Sequence, residues 1–260
     1  ECLVGSEMCI RDRILGFSQS ELAEKIGVEQ VTISRTELKK TEPSARLLEA
    51  VYSFAFDKNI KINKLKEMFW RDDLGANEKL LFHGAKTEID GEIDIHKGRK
   101  NNDFGQGFYL TTSKEQAESF LRTSIAKAIA TGTIEEGQKF GYISTFEFKL
   151  SENLETHIFE NADVDWLHCI AAHRKKKMFI EVEREMAKYD IIAGKIADDA
   201  TNATLTAYLA GAFGTAGDKV ADDFCIRQLL PNKLKDQYCF KTEAAIECLK
   251  FVKGEKIWLK

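Results

Sequence analysis

Residues 101–112 read Asn-Asn-Asp-Phe-Gly-Gln-Gly-Phe-Tyr-Leu-Thr-Thr, a loop punctuated by two glycines that runs into a short aromatic stretch. Gly105 and Gly107 let such a loop pass close to a ligand or a neighbouring segment with no Cβ in the way. The residues after them, Phe-Tyr-Leu-Thr, have the aromatic and β-branched content of a strand. Upstream, Leu81-Phe82-His83-Gly84 reads as another strand, ending in His-Gly, and downstream Ser113 with Gln116, Ala117 and Phe120 opens a helix. Working outward, β-rich strings (LLFHG, GFYLT, GYISTFEFKL, YDIIAGKIA and QYCFKT) alternate with helical stretches at 113–131, 164–174 and 204–213. Strands and helices without a regular βαβ beat predict an α+β domain with a mostly antiparallel sheet.

Ahead of that domain, from Ile14, the pattern is helical. Ser18 with Glu21 makes a capping box and Gly27 is a C-terminal stop, which predicts a helix over 19–26. A second helix is expected at about 29–38, and Pro43-Ser44 opens a third at 45–56. Helix, Gly-containing turn, helix is the helix-turn-helix plan, whose second helix enters the major groove. Residues 57–76 read as a charged, partly helical connector. Residues 1–13 (ECLVGSEMCIRDR) show neither helical nor strand period, start without Met, and have no basic segment before an apolar run. They are expected to be a non-native leader, leaving 14–76 as helical module and connector and 77–260 as the larger domain.

The 260 residues are 43% hydrophobic and 31% charged. That balance excludes a disordered chain, which could not bury enough apolar surface to offset ordering entropy. No apolar run reaches the length that spans a bilayer, so no membrane partner is expected. The net charge of −4 excludes a polycation over the whole chain, and residues 14–70 hold nine Lys and Arg against eight Asp and Glu, a net of +1. For a DNA binder that is a faint footprint. The six cysteines (2, 9, 169, 225, 239, 248) show no CxxC, and free thiols in the reducing cytoplasm are the expectation. Cys169 and His173, beside His168, lack a second cluster, so no metal is expected. Gly211, Gly214 and Gly217 lack the strand–GxGxxG–helix order of a phosphate cradle. The run Arg174-Lys175-Lys176-Lys177 reads either as a solvated helix end favoured by the dipole or as a contact for an anionic partner.

The order of strand with His-Gly, then FGxGFYLT, then a Ser-opened helix resembles the ADP-ribosyltransferases of the diphtheria-toxin and PARP type. Residues 79–252 look like the bacterial domain family DUF3990, on the strings LFHGAK, NNDFGQGFYLTT, YDIIAGKIADD and QYCFKTEAAIECLKF. The string FSQSELAEKIGVEQVTISRTELKKTEPS resembles the phage-repressor-like (XRE) helix-turn-helix family at Gln19, Leu22, Ala23, Gly27, Val28, Ile33, Ser34, Glu37 and Pro43. The family's first helix should precede Ile14. That resemblance implies that Gln30, Val31 and Arg35 face base edges and that Gln19 touches a phosphate.

The transferase resemblance implies an α+β fold with a split antiparallel β-sheet core and flanking helices, preceded by a small all-α module. It implies NAD as substrate. His83 would hydrogen-bond a ribose hydroxyl, Gly84 would offer backbone groups to the nicotinamide amide, and Tyr109 would stack on the nicotinamide face. Gly105, Gly107 and Asp103 would line the dinucleotide, and Arg99 and Asn102 flank the same loop. The third member of the catalytic set is commonly Glu, and Gln237 holds the matching place. A neutral amide positions a ribose but cannot supply the same field to a developing cation, so single transfer or slow turnover is expected rather than polymer building. Glu243 is a substitute acid, though an acid there also suits the first turn of a helix.

Each residue also has a plainer reading: His83 as a buried, backbone-bonded histidine, Tyr109 as a strand aromatic packed on the core. The expected function is a NAD-dependent mono-ADP-ribosyltransferase-like protein, a toxin or phage-defence effector, fused to a DNA-binding module. Its acceptor is not readable, and an antitoxin is a further expected partner. The rival is a non-catalytic transcriptional regulator whose C-terminal domain senses a nucleotide or a protein.

Overall fold

The computed structural model describes residues 17–258 apart from 39, 62–66, 68, 69, 72, 73, 76, 90, 135–139, 198 and 231–233. The expected leader and half of the connector lie outside the described residues. The chain divides into two compact units between Gly75 and Ala76.

Among the described residues the first unit holds the helices α1 (Gln19–Ile26), α2 (Gln30–Glu37) and α3 (Ala45–Asp57). Local chemistry sets their ends. Ser18 Oγ accepts from Glu21 N at 3.2 Å while the Glu21 carboxylate accepts from Ser18 N at 2.7 Å, the reciprocal capping box. Gly27 closes α1 at φ 68°, a backbone region that costs glycine nothing. Ser44 Oγ caps α3 by accepting from Leu47 N at 3.2 Å. Leu22, Ala23 and Ile33 form the small core, with Phe17, Ile26, Val28 and Phe54 against it.

The second unit is built on seven strands: β1 (Glu78–Ala85), β2 (Phe108–Thr111), β3 (Phe140–Lys149), β4 (Thr156–Ile158), β5 (Ile191–Lys195), β6 (Asp236–Phe240) and β7 (Leu249–Trp258). Among the described residues six α-helices accompany them: α4 (Lys114–Ala130), α5 (Val164–Arg174), α6 (Ile180–Met186), α7 (Asp199–Leu209), α8 (Lys219–Leu229) and α9 (Glu243–Ile246). The strand order is β4-β5-β6-β2-β1-β3-β7. All neighbours are antiparallel except β4 and β5, which run parallel. The architecture is therefore mixed α+β with a helical module ahead of it.

Side chains alternate across a strand, and the two faces feed two cores. Leu81, Phe108, Leu110, Phe146, Phe148, Tyr238 and Phe240 share one face with Ile95 and Ala245. Cys239, Ile192 and Tyr109 point the other way, toward Trp166, Leu167 and Ile170 of α5 and Tyr208 and Cys225 beyond. Helix α5 is apolar on nearly every side because it is enclosed. The indole of Trp166 donates to Lys195 O at 2.9 Å, so its one polar atom is satisfied in the interior.

Four elements were not legible as such: β4, β7, α6 and α8. Strand β7 is a sheet edge, exposed along most of its length, and its lysines break the apolar alternation in the way edge strands use to deter further pairing. In α8, Asp222 faces inward and interrupts the apolar stripe. The helix expected at 204–213 instead spans Asp199–Leu209. It ends where Gly211 adopts φ 82°, and its small Ala and Thr residues give a weak period.

Two substitutions read the packing in opposite directions. A Cβ on Gly84 would sit 2.4 Å from the Ala117 carbonyl oxygen, so Gly84→Ala is expected to destabilise by about 1–3 kcal/mol. Thr145 Oγ1 is buried with no hydrogen-bond partner among the described residues, beside a register shift between Thr145 and Phe146. Thr145→Val is expected to stabilise by about 1 kcal/mol. Denaturant titration of both variants checks the pair.

Candidate functional site

Strands β1 and β2 share one register pair, Phe82 with Thr111. The LFHG and GFYLT strings therefore meet and then part toward His83 and Tyr109, leaving a seam between the half-sheets β4-β5-β6-β2 and β1-β3-β7. His83 Nδ1 lies 2.8 Å from Tyr109 O. A carbonyl only accepts, so Nδ1 carries the proton and Nε2 is the free acceptor. The imidazole thus stands in for a missing rung, with its ring 4.6 Å from Phe108. Burial pulls its pKa below the usual imidazole value, against the opposite pull of the Tyr109 carbonyl, so it is neutral at pH 7.

Tyr109 and Gln237 belong to the opposite face. The Tyr109 hydroxyl donates to Gly105 O at 2.7 Å and accepts from Phe104 N at 3.0 Å. Burial, reinforced by Cys239 and Asp103 nearby, holds this phenol well above its ordinary pKa. The Gln237 amide donates to Asp103 Oδ2 at 2.8 Å. Asp103 is the hub: Oδ1 accepts from Arg174 Nε at 2.9 Å and Nη2 at 2.6 Å, and Oδ2 accepts also from Ala197 N at 3.1 Å. Arg174 reaches further, to Asn202 Oδ1 at 3.0 Å and Ala197 O at 2.9 Å.

The glycines answer to the chain's own packing. A Cβ on Gly107 would stand 2.6 Å from Cys239 Sγ and from Phe240 O, and one on Gly105 would stand 2.8 Å from the His173 ring. Gly84 is held bare by α4, as above. None of the three needs a ligand to explain it. Tyr109, Gln237 and Asp103 are brought together and bonded within the chain, while the His83 side chain lies with Phe108 on the other face of the sheet. A surface cleft of about 520 Å³ lies elsewhere, lined by Glu78, Glu147, Lys149, Ser151, Glu247 and Lys250.

A second polar cluster was not anticipated. His168 Nε2 lies 2.8 Å from Asp222 Oδ2, and Tyr208 donates to Asp222 Oδ1 at 2.5 Å, as does Gly217 N at 3.1 Å. Burial raises the Asp222 pKa, but the bonds from Tyr208 and His168 outweigh it and bring the carboxyl below its ordinary value. The sequence signal was the inward acid in α8. Cys169 and Cys239 are both buried, and burial pushes each thiol up to about 12, the condition of an inert core cysteine. No group of three or more potential metal-ligating side chains forms among the described residues.

In the first unit, Gln30, Val31 and Arg35 are exposed on α2. Gln19 is half-buried and its amide donates to Glu37 of α2, which ties the two helices together.

A helix pair joined through Gly27, followed by an α+β sheet domain, defines a helix-turn-helix protein with a large C-terminal partner domain. Residues 80–251 match the family described as "Protein of unknown function (DUF3990)", and the chain belongs to that family. Residues 10–51 match the family described as "Helix-turn-helix", a DNA-binding module, and that match begins inside the expected leader. A search of curated proteins found no match.

The Asp103–Gln237 bond yields a pH-dependent prediction. Gln237→Glu would place a second carboxylate against Asp103, raising the folded pKa of one acid above its unfolded value. Such a group binds more protons when folded, so its cost grows as pH rises through the unfolded value near 4.3. The variant is expected to be less stable than wild type by about 3–5 kcal/mol at neutral pH, with the gap narrowing toward pH 5. Thermal melts at both pH values check it.

Proposed function

We propose that this protein is a DNA-binding regulator whose C-terminal domain follows the ADP-ribosyltransferase plan and serves as a nucleotide-responsive module, with NAD the ligand to try first. The observation that carries this reading is how the expected catalytic donors are used. The Tyr109 hydroxyl and the Gln237 amide are both spent on the chain's own groups, whereas a catalyst keeps donors aimed at charge that develops in the transition state. The seam beside His83 supports a nucleotide, since there the edges of two strands part and an imidazole acceptor is left open. On the DNA side, the exposed Gln30, Val31 and Arg35 of α2 supply the side-chain types that read base edges.

A second reading is active mono-ADP-ribosyl transfer by a toxin or defence effector, to protein, nucleic acid or water. It is favoured by the neutral His83, whose Nε2 can accept from a ribose hydroxyl. Gln237 would then give the oxocarbenium-like state of glycosidic cleavage less support than a carboxylate.

Calorimetric titration of the full chain with NAD, run beside a nicotinamide-release assay, separates the two. The expected result is binding weakened about tenfold or more by His83→Ala, roughly 1.4 kcal/mol, with release at background. Release by wild type that His83→Ala abolishes establishes the transferase instead, and absence of any NAD binding removes the nucleotide. For DNA, an electrophoretic shift on the chain's own upstream duplex should show sequence preference that Arg35→Ala relaxes by about 1–3 kcal/mol.

A further inference from the structure

Two basic runs far apart in sequence, His96-Lys97-Gly98-Arg99-Lys100 and Arg174-Lys175-Lys176-Lys177, are brought to one corner of the C-terminal unit. A Cβ on Gly98 would stand 2.4 Å from Gly107 O, so the first run lies against the end of the glycine loop. Gln106 staples it there, its amide donating to His96 O at 2.6 Å and Gly98 O at 3.0 Å. The same loop meets the end of α5, through Gly105 against the His173 ring and Asp103 on Arg174. The second run starts at that point.

Not all of these cations are available. Arg174 is spent on Asp103 and Lys175 on Leu209 O. Lys97, Arg99, Lys100, Lys176 and Lys177 are exposed, and none makes a side-chain hydrogen bond or ion pair among the described residues. Elsewhere Lys114, Lys195, Lys219 and Lys250 each have a carboxylate partner. The acids closest in sequence are engaged: Asp94 caps His96 N at 2.8 Å and Glu181 pairs with Arg184 at 2.7 Å.

We propose that this corner is a second nucleic-acid contact, which takes the phosphate backbone of duplex DNA without reading bases. Unpaired cations in one place release counterions on meeting phosphates, the term that dominates sequence-independent binding. Neither run carries a Phe, Tyr or Trp, which argues for duplex over single strand, where stacking on such rings is the usual anchor. The choice of DNA over an acidic protein rests on the DNA-binding reading of the N-terminal module. That module has a net charge of only +1 over residues 14–70, so cations outside it would add to a faint phosphate footprint.

The test compares the full-length protein with a fourfold variant, Lys97→Gln, Lys100→Gln, Lys176→Gln and Lys177→Gln, by fluorescence anisotropy. Both are titrated against the upstream duplex and an unrelated duplex over a range of salt. The fourfold variant should bind both duplexes about tenfold or more weakly, with a log–log salt slope shallower by about 3 to 4, near 0.9 per lost phosphate contact. An unchanged affinity and slope overturns the proposal, and so does loss of preference for the upstream duplex alone. Displacement of the labelled duplex by polyglutamate as readily as by unlabelled duplex overturns the choice of nucleic acid. Arg35→Ala separates the two readings: unchanged preference in that variant, with affinity for both duplexes weakened alike in the fourfold one, sinks the helix-turn-helix reading and leaves the surface standing. Should the fourfold variant fail to melt cooperatively, the exposed pair Lys100→Glu and Lys176→Glu replaces it under the same criteria.

Discussion

The C-terminal unit turns on one buried ion pair. Asp103 and Arg174 stand 71 positions apart, and their contact fixes the glycine loop to the end of α5, strand β6 through Gln237, and the chain after β5 through Ala197. A charge taken out of water is costly alone, and pairing with further hydrogen bonds is what makes the interior hold it. Every acceptor position on Asp103 is filled, so the loop that leads into the strand of Tyr109 has one seat.

That constraint recasts the residues around it. Once Asp103 takes the Gln237 amide, a neutral side chain at 237 is a requirement of the neighbourhood, since an acid there would face another acid. The Tyr109 phenol, bonded to the turn just before its own strand, closes that turn. The motif residues hold the loop's shape first, and whatever the seam binds meets a backbone already set by them.

Much of this was written locally in the sequence. Ser18, Glu21 and Gly27 bound α1, and the apolar content of 164–174 marked α5 at both ends, because caps and composition act over a few residues. The sidedness of the site was not local. His83 and Tyr109 each look like candidate ligand contacts, but only the register of Phe82 with Thr111 decides the pleat, and a one-residue step in register exchanges the faces. The Asp103–Arg174 bond was hidden for the same reason: Arg174 read as the first of four cations, and nothing near it in sequence shows that it turns inward while Lys175 to Lys177 turn out. Strand β7 was masked by its lysines, which answer to solvent on an edge rather than to a core.

The lone rung between β1 and β2 has a mechanical meaning. Hydrogen-bonded ladders are directional and stiff, while apolar packing is not. Phe108 and Leu110 on one plate and Phe146 and Phe148 on the other share a single apolar bed. The two halves of the sheet are thus joined by one register pair, by the His83 imidazole on the Tyr109 carbonyl and by a shared apolar core, a junction that rests on side chains where the other strand pairs rest on backbone.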